Sequence, residues 1–398
     1  MGVFAMAHWT WKRRHIGPIG VDIGQDSIKM LQLIDDEKRL SVHRRQKRRI
    51  SGLVDEQIQS GDRIMTMRQM LEEGDFHGTE AALCLANDKL KITSVRVSES
   101  DVTKTAAQIF KEAAFRFGLD PGRDSIQYLP AGTVRQGEQT KYEVILFAAD
   151  RQAAEDGLVL LDQAGLTAVG LEPAPCALFR GFERTLRRDE ERNGTSILLD
   201  VGRRFTTVVF GRSGEIGLAK VLPVGTGRFD EEIATRLGTS LQEAETVRRT
   251  LHASEGCVEQ DDPSYASSVG RKPPDLSVCR TLTDAIRCVA DELAREVSLC
   301  ARYYTVTFRG HRIERTLVSG GGAYEPLLLA AIKAQLGVDV EGARPLQGIC
   351  QGTGSSDDSS GELGCEWAVA FGLALRGWPA GQGPLSHHAL RPCLMQAS

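Results

Sequence analysis

The sequence has no long apolar run, no CxxC pair and almost no net charge. Its best apolar run, 367–375, follows Glu366 and falls far short of the roughly eighteen residues that a membrane helix needs. At the N-terminus Val3-Phe4-Ala5-Met6 precedes Lys12-Arg13-Arg14, the reverse of a signal peptide's charged-then-apolar order. Nine scattered cysteines, an odd number without metal spacing, suit reduced thiols better than a disulfide framework. With 49 basic against 53 acidic side chains the net charge is -4, and no nucleic acid is expected as main partner. These absences point to a soluble intracellular protein. What remains is 398 residues of ordinary globular composition, 41% hydrophobic and 26% charged, long enough for two to three domains. Collagen-like, coiled-coil and wholly disordered chains are excluded. Glycine is in excess, 41 residues, so glycine-built loops should matter.

Periodicity gives the order of elements. A strand from Ile19 to Gly24 returns through Ser27 to Leu33, and the basic run Arg44-Arg45-Gln46-Lys47-Arg48-Arg49 reads as a solvated edge strand blunted by charge. Strands are expected at 81–86, 143–149 and 167–171, and helices at 104–117, 151–164 and 175–186. After the charged connection 187–192 come strands at 197–200, 205–210 and 216–224. Phe229, Ile233 and Leu237 then stand at helical spacing, and Ser240 with Glu243 forms a capping box for the next helix. Residues 253–278 read as a flexible insertion, and 283–304 is the best-patterned helix. A strand at 315–318 meets Ser319-Gly320-Gly321-Gly322. The following helix starts near Pro326 and stops at Gly337. Residues 351–362 are a linker, 363–376 a last apolar helix, and the tail 378–398 is expected to be disordered.

Two segments carry the chemistry. Val21-Asp22-Ile23-Gly24 and Leu199-Asp200-Val201-Gly202 are both buried strands running into Asp-X-Gly, about 180 residues apart, as in a duplicated domain. Glycine lets turn amides approach phosphate oxygens, and Gln25, Ser27, Thr206 and Thr207 supply polar side chains nearby. Lys29 can neutralise charge, and Asp22 and Asp200 can hold a hydrated Mg²⁺. Two such cups facing each other would clamp a polyphosphate. Ser319-Gly320-Gly321-Gly322-Ala323, between a strand and a helix, offers a flat backbone for an adenine ring or an α-phosphate. A single Asp-X-Gly is equally a common turn, and the pairing with a third element in order is what makes the signal.

The order of cup, second cup and triple-glycine turn resembles the actin-like ATPase superfamily. Within it the chain resembles the PilM family of type IV pilus assembly proteins, relatives of the division protein FtsA. The residues that carry this are Gly20-Val21-Asp22-Ile23-Gly24 with Ser27 and Lys29, and Val224-Gly225-Thr226-Gly227 with Ser240-Leu241-Gln242-Glu243-Ala244-Glu245. Ile313-Glu314-Arg315 before the glycine triplet and Ala368-Val369-Ala370-Phe371-Gly372-Leu373-Ala374-Leu375-Arg376-Gly377 complete it, spanning roughly 16–377. The resemblance implies an α/β actin-like ATPase fold: two ribonuclease-H-like halves with a small α+β subdomain (1C-like, SHS2) inserted in the first. On this chain that means a leader at 1–15, a first half at 16–93 and 169–192, and an insert at 94–168. The second half would be 193–377 and the tail 378–398.

It further implies ATP and Mg²⁺ as cofactors, with Asp22, Gly24, Gln25, Ser27 and Lys29 in the first phosphate loop. Asp200, Gly202, Thr206 and Thr207 would be the second loop, Gly225 and Gly227 the link between halves, and Gly320, Gly321 and Gly322 the adenosine loop. Asp22 and Asp200 would hold magnesium through water and be the catalytic candidates of what is at most a weak ATPase. The implied partner is the cytoplasmic N-terminal peptide of a PilN-like inner-membrane protein, with a homo-oligomer also possible. The implied location is cytoplasmic, peripheral at the inner membrane.

Three departures stand out. Arg203-Arg204 replaces small or hydroxyl residues, and either grips extra phosphate charge or fills the nucleotide's space. The linking segment reads Gly225-Thr226-Gly227-Arg228, and Phe115-Arg116-Phe117-Gly118-Leu119 diverges where the peptide groove would lie. A sugar kinase of the same superfamily, an FtsA-like division protein and a nucleotide-free adaptor remain alternatives.

Overall fold

The computed structural model describes residues 15–35, 40–50, 56–98, 111, 114–115, 118, 120, 124–188, 194–212, 214–255, 276–309, 311–351 and 364–376. The leader, most of the helix at 104–117, most of the insertion at 253–278, most of the 351–362 linker and the tail lie outside them. The first strands are β1 (His15–Ile23), β2 (Ser27–Asp35), β3 (Leu40–Arg49), β4 (Glu80–Leu85), β5 (Leu90–Ser98), β6 (Asp124–Gln136) and β7 (Gln139–Asp150). They are followed by β8 (Thr167–Pro173), β9 (Thr195–Val201), β10 (Thr206–Arg212), β11 (Glu215–Leu222), β12 (Ile313–Ser319), β13 (Asp339–Gly342) and β14 (Cys350–Gln351). Helices are α1 (Glu56–Gly74), α2 (Arg151–Gln163), α3 (Ala174–Arg188), α4 (Gly227–Leu237), α5 (Leu241–Glu255), α6 (Leu276–Thr307), α7 (Pro326–Leu336) and α8 (Ala368–Ala374).

Three sheets result: β14-β3-β2-β1-β4-β8, β11-β10-β9-β12-β13 and β5-β7-β6. The two larger ones share a plan. In each, an antiparallel hairpin (β1–β2, β9–β10) extends to a third antiparallel strand, while the first strand of the hairpin also pairs in parallel on its other side, with β4 and β12 respectively. The elements follow the apolar patterning. Along α6, Ile286, Val289, Ala290, Leu293 and Val297 are at most 2% exposed. Each large aliphatic side chain so buried contributes about 1.5–3 kcal/mol. This helix is longer than the 283–304 read from its stripe. The capping box forms before α5, where Glu243 Oε2 accepts from Ser240 N (3.0 Å) and Ser240 Oγ accepts from Glu243 N (3.3 Å).

The basic run lies in β3, whose charged half pairs only with β2, because β14 reaches only Ser41 and Val42. That open edge is carried by internal partners: Arg44 with Asp75, Arg48 with Glu73, Lys47 with Glu366, Arg49 with Glu245, and Arg45 over the Trp367 ring. The apolar α8 is wholly buried between β1 and α3. It fits because glycines face it: a Cβ on Gly20 would come 2.1 Å from Ala370 O, and one on Gly181 2.8 Å from Ala368 O. Among the described residues no helix is long and apolar enough to cross a membrane.

Candidate functional site

The two hairpin turns have one backbone design. In Gly24-Gln25-Asp26-Ser27 the Gly24 N–H donates to Ser27 O at 2.9 Å; in Gly202-Arg203-Arg204-Phe205 the Gly202 N–H donates to Phe205 O at 3.0 Å. A Cβ on either glycine would press on that acceptor, at 3.1 and 3.2 Å. Register then equates the flanking positions, since Asp22 lies opposite Lys29 and Asp200 opposite Thr207. Thr206 is the counterpart of Ile28, not of a phosphate-facing residue. It is fully buried and donates from Oγ1 to Val224 O at 2.7 Å. Its hydroxyl hydrogen is committed to fastening the strand to the segment after β11.

The turns face each other. Arg203 Nε lies 3.2 Å from Asp26 Oδ1, joining the tip of one hairpin to the tip of the other. Beside them Asn87, in the short turn after β4, donates to Thr207 Oγ1 at 3.3 Å. Behind the tips Lys29 Nζ holds Asp22 Oδ2 at 2.7 Å. Burial depresses the Lys29 pKa, but the fields of Asp22, Asp200 and Glu366 outweigh it, so the ammonium stays charged with a raised pKa. Asp200 is pushed up to about 6, by burial first and then by the Asp22 carboxylate, with Lys29 and the Ser319 hydroxyl opposing. Asp22, Lys29 and Asp200 are thus one interacting cluster at the bottom of the space between the turns.

The triple glycine joins this cluster through β12, where Ser319 is in register with Asp200. Ser319 Oγ lies 2.8 Å from Leu199 O and 3.2 Å from Asp200 Oδ1. Gly320 has φ 77°, and a Cβ there would stand 2.6 Å from Val201 O and 2.8 Å from Asp200 Oδ1. One on Gly322 would strike Val201 Cγ1 at 2.4 Å, whereas nothing lies within 4 Å of the Cβ position of Gly321. Gly320 and Gly322 therefore permit packing, and the exposed Gly321 offers the open backbone. Gly225 and Gly227 sit behind the second turn. Thr226 N–H donates to Gly202 O (2.9 Å) and Gly227 N–H to Arg203 O (2.7 Å), so this segment braces the turn.

Sequence reasoning missed several residues. Arg203 is bound by Asp230 (3.0 Å) and lies 3.5 Å from Glu245 as well as near Asp26. Asp230 is fully buried and also holds Arg248 (2.7 Å). Glu366 accepts from Lys47 and from Tyr324 Oη, and its pKa is lowered: burial raises it, and these two partners overcome that effect. Asn87 had no motif to announce it. The partners of Arg203 had a faint one, an acid at Asp230 on a helix that starts directly behind the turn. On neighbouring strand ends, beyond Asp22 on β1 and Cys84 on β4, lies Glu172 on β8. It is 2% exposed and held by Arg180 and Arg376 (3.0 Å), which gives it a structural role.

A nucleotide–magnesium complex fits these residues. Asp22 and Asp200 share the field of a single lysine, and burial first, then the Asp22 carboxylate, disfavours the charged form of Asp200, a cost that a cation would relieve. Gly24 and Gly202 keep side-chain bulk from both turns, and Gly321 keeps the third element open. Gln25 is exposed at the first tip, in the position that Arg203 holds in the second. Among the described residues no group of three or more His, Cys, Asp or Glu is arranged to hold a metal ion.

No protein-family model matches the chain. Cell division protein FtsA of Bacillus subtilis (strain 168) is 24% identical over 165 residues, 41% of this chain. The match spans 36% of FtsA, about a third of its length. A chain of the PilM-PilN type IV pilus biogenesis complex superposes with a TM-score of 0.72 at 23% identity, over 91% of this chain and 98% of that one. Ethanolamine utilization protein EutJ from Carboxydothermus hydrogenoformans does so with a TM-score of 0.50 at 16% identity, over 91% and 89%. The chain has the actin-like ATPase fold, and it resembles the pilus-complex structure along nearly its whole length.

Proposed function

We propose that the chain is an ATP-binding, actin-like scaffold of a type IV pilus or related secretion machine. The six- and five-stranded sheets are the cores of its two halves, and the three-stranded sheet is that of the inserted subdomain. ATP lies with its phosphates between the Gly24 and Gly202 turns, contacted by Ser27, Lys29 and Thr207, and its adenosine lies against Gly321. Asp22 and Asp200 hold the Mg²⁺ through water, and the ion neutralises the phosphate charge they would otherwise repel. The observation that carries this reading is the apposition of the two turns, spanned by Arg203 and Asp26 above the Asp22–Lys29–Asp200 cluster.

Hydrolysis is slow or absent. In-line attack needs a group to position water, and the nearby buried acid Glu172 is consumed by two arginines. The superposition on the PilM–PilN complex supports a PilN-like partner, which would present its cytoplasmic N-terminal peptide and hold the scaffold at the inner membrane. Titration calorimetry tests the nucleotide. Asp22→Ala and Asp200→Ala should each weaken Mg-ATP binding at least tenfold in folded protein; unchanged affinity defeats the proposal. Fluorescence anisotropy with labelled N-terminal tails of PilN-like proteins should give micromolar binding, and no response to any of them points to another machine. A nucleotide-free adaptor is the second reading, favoured by the side chain of Arg203 spanning the turns. It predicts the tail binding without the ATP binding.

A further inference from the structure

We propose that His43 and His77 form a binding site for a divalent transition metal of the zinc class, at the end of the six-stranded sheet remote from the cleft. His43 Nε2 and His77 Nδ1 are 3.2 Å apart, with ring centres 5.0 Å apart and planes at 79°. With zinc–nitrogen bonds of about 2.0–2.1 Å and a tetrahedral angle, two ligating imidazole nitrogens stand about 3.3 Å apart and their ring centres about 5 Å apart. A straight N–H···N hydrogen bond of the observed length would instead put the centres about 5.5 Å apart. The observed centre-to-centre distance of 5.0 Å matches the ligating arrangement more closely than the straight hydrogen bond.

The surroundings build this geometry. Gln32 pairs with Arg44 and Leu33 with Val42, which leaves His43 as the extra residue of a β-bulge, a device that re-aims a side chain. His77 is fixed through its backbone by the same Gln32, which is 1% exposed. Gln32 Oε1 accepts from His77 N at 2.9 Å, while its Nε2 donates to His77 O at 2.7 Å and to Gly17 O at 2.9 Å. Asp75, the one non-glycine residue with positive φ among the described residues, carries a carboxylate close to both rings, paired with Arg44 at 2.5 Å. Burial, then His77 and Arg44, lower the His43 pKa against the opposing pull of Asp75.

Two protein ligands leave the remaining positions to water, which suits micromolar affinity. The site lies five residues along β2 from Ser27, roughly 17 Å from the first turn, so its occupancy is independent of the nucleotide. Zn²⁺ titration of the full chain by calorimetry tests it. Wild type should take up one ion that His43→Ala and His77→Ala each weaken at least tenfold, and that Asp22→Ala leaves intact. His43→Gln can keep a hydrogen bond to His77 but is a poor metal ligand, so it should keep the melting temperature and lose the zinc. Identical titrations in wild type and both alanine variants, including uptake by cysteines alone, overturn the proposal. So does zinc binding that persists in His43→Gln.

Discussion

Asp200 carries the most testable chemistry of any single side chain here. Its pKa is raised from 3.8 to about 6, so between those values the folded chain holds a proton that the unfolded chain has lost. Stability on this account falls as pH rises through that window, and a cation at the carboxylate reverses the loss. Mg-ADP affinity should therefore rise from pH 5 to about pH 6 and flatten above it. The difference between wild type and Asp200→Asn, measured by calorimetry across that range, should isolate this inflection from the nucleotide's own titration. The two aspartates and their glycines were legible in the sequence because both turns need a residue without bulk after an acid. Thr206 was not. Neighbouring strand residues point to opposite faces, and nothing in Thr206-Thr207 says which hydroxyl turns inward.

Among the elements, α8 was readable from its unbroken apolar character, and α6 from its stripe. By contrast, α1 presents a polar sequence that buries Met67 and Met70, while β5 and β6 lie outside any clean alternation, so none of the three was expected. The seam of α8 is the least forgiving packing in the molecule. A Cβ on Gly372 would lie 1.8 Å from Ala177 O, a backbone atom that cannot turn aside. Gly372→Ala should cost about 1–3 kcal/mol or more through overpacking, seen as a lower urea midpoint with little change in slope. Gly321→Ala, with open space around it, should leave the midpoint unchanged and act only on nucleotide affinity.

At the scale of the whole molecule, the two larger sheets share an apolar core through α3 and α8 and are tied near their turns by polar contacts: Arg203 with Asp26, Arg49 with Glu245 at 3.3 Å, and Asn87 with Thr207. Arg203→Ala removes the central contact and leaves the buried Asp230 to Arg248 alone. It should cost about 1.5–3 kcal/mol and speed limited proteolysis. Raising salt should weaken only the Arg203–Asp26 part in wild type, because Asp26 is partly exposed while Asp230 is buried and little screened, and it should change the variant less. The sequence marked Arg203 as a departure but could not name its partners. Asp230 and Glu245 come from the two helices that follow β11, but Asp26 comes from a turn far away along the chain, and only the closed topology brings it to Arg203.

The wedge between β1 and α3 also bears on synthesis. Strand β1 is seated against α8, which lies far along the chain from it, so a nascent chain carries an uncovered apolar sheet face until residues near 374 leave the ribosome. Products that stall before that point should rely on chaperones.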